Sequence, residues 1–148
     1  MRLIGIACLV LITLMTSQCR KAEPELAPKI AELIGTWQLI ESDSAYTVTL
    51  TFALDTDNPP HDITSFKASG KSSVNAYNVN LFAAIDGMML ADQFGSTKIA
   101  GSPDAMQFEQ QYFKNLKAAA RFELPTTTQL RVYHGGDLPR VLVYKKLN

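Results

Sequence analysis

The side chains of this 148-residue chain that are suited to chemistry are few and scattered. Glu109 falls on the apolar stripe of a helical pattern. A carboxylate placed there needs hydrogen bonds or a cation, or its pKa rises. It can serve as a general acid or base, or as a latch between helix and sheet, with Arg121 and Lys98 as candidate cations. The latch is the expected role. His61 and His134 are the two histidines, and neither stands in a ligand-spaced pattern such as His-x-x-x-His. Asp55, Asp57 and Asp62 have calcium-loop chemistry, but Pro59-Pro60 breaks EF-hand spacing, which leaves an ordinary polar loop as the expectation. No G-x-S-x-G elbow or Walker loop occurs. Gly135-Gly136-Asp137 reads as a turn with no following helix to cradle a phosphate. The expectation is a protein without a catalytic residue, a metal or a cofactor. A hydrolase using Glu109 or His134 is the weaker reading.

Cys19 carries a different kind of chemistry. Arg2 is followed by the apolar run Leu3 to Met15 and then Thr16-Ser17-Gln18-Cys19. That is the layout of an export signal, and the run is shorter than the ~20 residues a spanning helix needs. Cys19 sits where a bacterial lipoprotein carries its lipid. Ser17 suits such processing and Gln18 departs from it, so a plain secreted protein with Cys19 as a free thiol is the alternative. Residues 1–18 thus read as a signal peptide, 19–32 as a lipid-anchor linker containing Pro24 and Pro28, and 33–148 as one domain. Location follows: the cell envelope, facing the periplasm on a membrane tether.

The mature chain keeps thirteen basic and fourteen acidic residues, because Arg2 is the only charge in the signal. This balance excludes a nucleic-acid surface, which needs a basic excess. Cys8 is lost with the signal, so no internal disulfide can form and the core alone must hold the fold. A monomer is expected.

The elements that must position these residues are mostly strands. Tyr46, Val48, Leu50, Phe52 and Leu54 alternate with Thr47, Thr49, Thr51 and Ala53, the period of a half-buried strand. Thr36 to Ile40, Ile63 to Ala68 and Phe122 to Leu124 read as further strands, the last stopped at Pro125, and one helical turn is expected over 30–34. Asp86-Gly87 links Val79–Ile85 to Met88–Ala91 as a two-residue hairpin, and His134 to Pro139 links Leu130–Tyr133 to Val141–Tyr144. One helix is convincing. Ser102 caps it, Pro103 opens it, Asp104 suits its dipole, and Met106, Glu109, Phe113, Leu116 and Ala120 form its stripe, widened by Phe108 and Tyr112. The expected fold is mainly β (α+β): an antiparallel curled sheet or small barrel with one amphipathic helix packed across it.

Gly35-Thr36-Trp37-Gln38-Leu39 resembles the Gly-x-Trp-x-Leu opening of the META/HslJ family of small bacterial envelope proteins. Gly70, Asn75 and Tyr77 are similar to its Gly…Asn-x-Tyr turn, and Thr97-Lys98-Ile99-Ala100 to its Thr-x-Met-Ala segment. Met106, Glu109, Tyr112 and Leu116 match the following helix, and Leu142-Val143-Tyr144 the final strand. The family often has Cys after Met-Ala; this chain has Gly101, so no thiol role carries over. The resemblance implies a compact β-rich envelope lipoprotein, with some members linked to heat shock, drug tolerance or secretion, acting through an envelope protein not named by the sequence. The motif residues themselves read as structural: Trp37 as a core anchor, Asn75 bonding backbone in a turn, Tyr77 a buried ring with its hydroxyl paired. A lipocalin-like carrier of a small apolar ligand is the alternative, since Gly35-x-Trp37 also resembles that barrel's opening. A carrier needs an open apolar cavity; the other reading needs an interior filled by Trp37, Phe52, Leu81, Phe113 and Leu116.

Overall fold

A computed structural model describes residues 25–40, 45–137 and 139–148. Cys19 and the segment read as signal and linker up to residue 24 lie outside the described residues. The chain begins with a short helical turn, α1 (Pro28–Ala31), followed by β1 (Gly35–Leu39), β2 (Thr49–Leu54), β3 (Ile63–Lys71), β4 (Ala76–Ala84) and β5 (Met89–Ser96). The long helix α2 (Pro103–Lys117) follows, then β6 (Ala119–Thr126), β7 (Gln129–His134) and β8 (Arg140–Lys146). All strand pairs are antiparallel, in the order β5-β4-β3-β2-β1-β8-β7-β6. The fold is mainly β: an eight-stranded curled half-barrel with one long helix.

Alternation builds this sheet. Along β4, Tyr77, Val79, Leu81 and Ala83 are buried while Ala76 and Asn78 are exposed. Along β7, Leu130, Val132 and His134 turn inward. The inward side chains of the strands meet Phe113 and Leu116 of α2, and Trp37, Leu50, Phe66, Phe122 and Tyr144 are fully buried among them. Curling brings the two edges of the sheet together at one place. Met88 bridges Arg121, and Phe122 N–H donates to the Gly87 carbonyl at 2.7 Å. The helix α2 packs against β5 and β7. No helix of the described residues is long and apolar enough to cross a membrane.

Several local expectations shift. The helical turn sits two residues before 30–34, and its Ile30 is in the core, so the packed body begins ahead of β1. β2 starts at Thr49 rather than Tyr46, although Val48 is already buried. The Asp86-Gly87 link is a three-residue loop. Gly87 N–H donates to Ala84 O and Ala84 N–H to Met88 O, with φ +96° at Gly87 alone, the pattern of a turn followed by a glycine bulge. β6 runs through Pro125 to Thr126, tolerated because β6 is a terminal strand whose register is irregular there. The helix ends at Lys117, which leaves Ala120 exposed on β6 rather than on the helical stripe.

Candidate functional site

The β3–β4 turn and the first half of α2 face each other, and the motif residues gather there. Ser102 caps α2 by accepting from Ala105 N–H at 3.4 Å, and Pro103 follows at the first helical position. This start places Met106, half-buried, in the first turn and Glu109 one turn later, where only 3% of its surface is exposed. Glu109 Oε2 accepts from Asn75 N–H at 2.8 Å and from Val74 N–H at 3.3 Å; Oε1 accepts from Asn75 Nδ2 at 2.6 Å. A buried carboxylate is thus compensated by three N–H groups rather than by the cation expected from sequence. Arg121 pairs with Glu123 at 2.7 Å, and Lys98 is exposed.

Asn75 is the centre of this cluster. Its Nδ2 also donates to Ile99 O at 3.1 Å, and its Oδ1 accepts from Thr97 Oγ1 and Ile99 N–H, both at 2.7 Å. Its carbonyl accepts from Ser72 N–H at 2.9 Å. One side chain therefore ties the β3–β4 turn, the segment between β5 and α2, and the helix together. The amide orientation is fixed, because Oδ1 faces two donors and Nδ2 faces two acceptors.

Beside it runs a line of three phenols. Tyr77 Oη donates to Thr49 O at 2.6 Å, and Tyr112 Oη lies 2.7 Å from Tyr77 Oη and 3.2 Å from Tyr144 Oη. Burial raises the pKa of Tyr77 and of Tyr112 well above the ordinary phenol value. Tyr77 and Tyr112 therefore remain neutral and hydrogen-bonded at any physiological pH. Gly70 sits against them: a Cβ there would lie 1.9 Å from Thr49 O and 2.7 Å from Tyr77 Oη. Gly70, Asn75, Tyr77, Thr97 and Glu109 thus form one assembly. Trp37 and Gly35 do not join it. Trp37 is buried on β1 with Nε1 donating to Leu33 O at 2.8 Å and Lys146 Nζ 5.0 Å from its ring. Leu116 is buried under the sheet.

Sequence reasoning missed Tyr144 and Thr49 as partners of Tyr77, and Val74 as a donor to Glu109. Tyr144 lay in view as an inward residue of the last strand. The Thr49 and Val74 contacts use main-chain atoms, which no residue type announces.

The acidic loop is also a closed unit. Asp55 accepts from Asn58 Nδ2 at 2.7 Å and lies 2.9 Å from Lys67 Nζ, which is 2.6 Å from Asp57. The ammonium group occupies the position between the two carboxylates that a cation would take. Asp62 and His61 are exposed neighbours, and no metal-capable group of three ligands occurs among the described residues. Hydrogen bonds from Lys67 and then Asn58 hold the Asp55 carboxyl down to about 2, against an ordinary 3.8. Asp55 therefore contributes stability above pH ~4, and that contribution disappears as pH falls through about 2. Hydrogen bonds from Asp57 and Asp55 raise Lys67 to about 12, so its contribution disappears only as pH rises through about 12. His134 behaves differently. Burial first, and Arg140 second, lower its pKa below 6.5, so the folded state favours the neutral ring and loses stability as pH falls below 6.5. Urea midpoints measured from pH 8 to 2 are expected to drop in two steps. His134→Gln should remove the first and Lys67→Met should weaken the second.

A family model described as META domain matches residues 31–145. An NMR structure of a protein from Burkholderia xenovorans is similar in fold, with a TM-score of 0.58 and 21% identity over 84% of this chain and 94% of that one. No curated protein matches the chain significantly.

Proposed function

Since this chain belongs to the META domain family, we propose that it is a non-enzymatic envelope lipoprotein, tethered through Cys19, that serves stress response or envelope maintenance by contacting another protein. The observation that carries this reading is the internal use of its most suggestive polar groups. Both Glu109 oxygens and both polar atoms of the Asn75 side chain are engaged by other parts of the same domain. A general base needs a lone pair within reach of a substrate proton, whereas these lone pairs are directed at the protein's own N–H groups.

The filled interior supports this reading over the carrier. Trp37, Phe52, Leu81 and Leu116 are at most 1% exposed and belong to one apolar cluster with Phe113. Ring contacts continue through it, including Phe52 on Phe66 at 5.5 Å and Tyr77 on Phe113 at 5.4 Å.

Two measurements test the proposal. Mass spectrometry of the native N-terminus should find a diacylglyceryl Cys19; a free Gln18 or Cys19 terminus would end the tether reading. A deletion strain complemented with Glu109→Gln at matched protein abundance should keep its stress tolerance. Loss of complementation by folded, abundant protein would point to chemistry at Glu109.

A further inference from the structure

One corner of the outer sheet face is apolar. Phe82 on β4 stands opposite Leu90 on β5 and Ser65 on β3, and Ile63 pairs with Ala84 two residues along. Ile85 and Met88 lie in the β4–β5 turn at the same end of these strands. Ile63, Ile85, Met88 and Leu90 are 47%, 57%, 43% and 56% exposed. Farther along these strands the exposed positions are polar: Lys67 and Ser69 on β3, Asn78 on β4, Asp92 on β5. Contiguous exposed apolar surface of this kind marks a contact site.

The N-terminal segment enters the domain beside that corner. Leu26 and Ala27 pack on the core, and Lys29 Nζ donates to Ile85 O at 3.1 Å and lies 5.1 Å from the Phe122 ring. From Cys19 to Glu25 the chain runs six residues, at most ~20 Å even fully extended. A lipid on Cys19 therefore holds the β4–β5 turn close to the bilayer, where even weak apolar contact is favoured by high local concentration.

We propose that this corner is a membrane-contact surface. Ile63, Ile85, Met88 and Leu90 rest at the headgroup–acyl boundary of the bilayer that carries the Cys19 lipid. The proposal depends on the tether reading above. Asp86 and Lys29 both stand beside Ile85 and offset each other, and the near-neutral charge of the mature chain adds no preference for anionic lipid, so a zwitterionic surface suffices.

The test uses full-length protein isolated from membranes and reconstituted in phosphatidylcholine vesicles. Leu90→Cys, Ile85→Cys and Ser69→Cys each carry a fluorophore. Ser69 is exposed on the same face of β3 as Ile63 but six residues away, about 20 Å along the strand. Nitroxide-labelled lipid should quench positions 85 and 90 at least ~3-fold more than position 69, as expected for side chains at the acyl boundary. Vesicle flotation without lipid quenching at 85 and 90 overturns this proposal and leaves the tether standing. Shielding of those positions from aqueous iodide without lipid quenching overturns it in favour of a second copy or a protein partner. Failure to float overturns both readings.

Discussion

Gly70→Ala should be the most damaging single-methyl addition in this domain, leaving little folded protein at 37 °C. The required atom would lie 1.9 Å from Thr49 O and 2.8 Å from Thr49 C, both main chain. Thr49 cannot retreat cheaply. Its carbonyl accepts from Tyr77 Oη at 2.6 Å, its Oγ1 accepts from Lys71 N–H at 3.1 Å, and its strand pairs with both β1 and β3. Overpacking usually costs about 1–3 kcal/mol where side chains can give way; here two paired strands must separate, and the cost should exceed that range. The glycine is required for space and not for an unusual φ, since Gly70 is not among the residues with positive φ. Gly136→Ala is the control and should shift the urea midpoint negligibly. An unchanged midpoint for Gly70→Ala would show that β2 and β3 can move apart without penalty.

Glu109→Gln should follow closely. The carboxylate faces only donors: Val74 N–H, Asn75 N–H and Asn75 Nδ2. Glutamine replaces one acceptor by an NH2 group, so at least one donor meets another donor. Flipping Asn75 does not relieve this, because its Oδ1 is held by Thr97 Oγ1 and Ile99 N–H. Losing a charge-assisted bond and stranding a buried donor should cost about 2–4 kcal/mol. That corresponds to a fall in melting temperature on the order of 10 °C. Coupling provides the sharper measurement. Asn75→Ala and Glu109→Ala should be non-additive, since either one removes the shared Asn75 Nδ2–Glu109 Oε1 bond. Additive losses would show that the two residues do not act as one latch.

The degree to which this architecture is legible in sequence varies with the physics involved. Period-2 alternation and a capped amphipathic stripe are local signals that identify β2 and α2 directly, and apolar runs on either side of turn residues mark β4 and β7. Glu109 stands out because a carboxylate on an apolar stripe demands an explanation. Its partner does not stand out. Charge arithmetic suggests Arg121 or Lys98, whereas consecutive main-chain N–H groups at Val74 and Asn75 provide the compensation. Main-chain donors carry no residue signature, and the turn that aims them exists only once β3 and β4 have paired. The Asp55 loop is similar. Its acidic composition is visible, but Lys67 filling it depends on the register that sets Ala53 against Lys67. Asp-Gly announces a turn, although not which turn, because a glycine bulge and a two-residue loop share those residues.

The pairing of β1 with β8 sets Trp37 against Lys146 and Leu39 against Tyr144. It joins a five-strand meander made early in synthesis to a three-strand meander made late. Until the last strand has emerged, β1 has one open edge and β7 has another, and neither meander alone can enclose Trp37. The sheet therefore becomes continuous only when the whole chain is present, the ordering expected of non-local strand pairing. A chain with this topology therefore cannot close its sheet until β8 has been made, whatever the order in which the other strands pair.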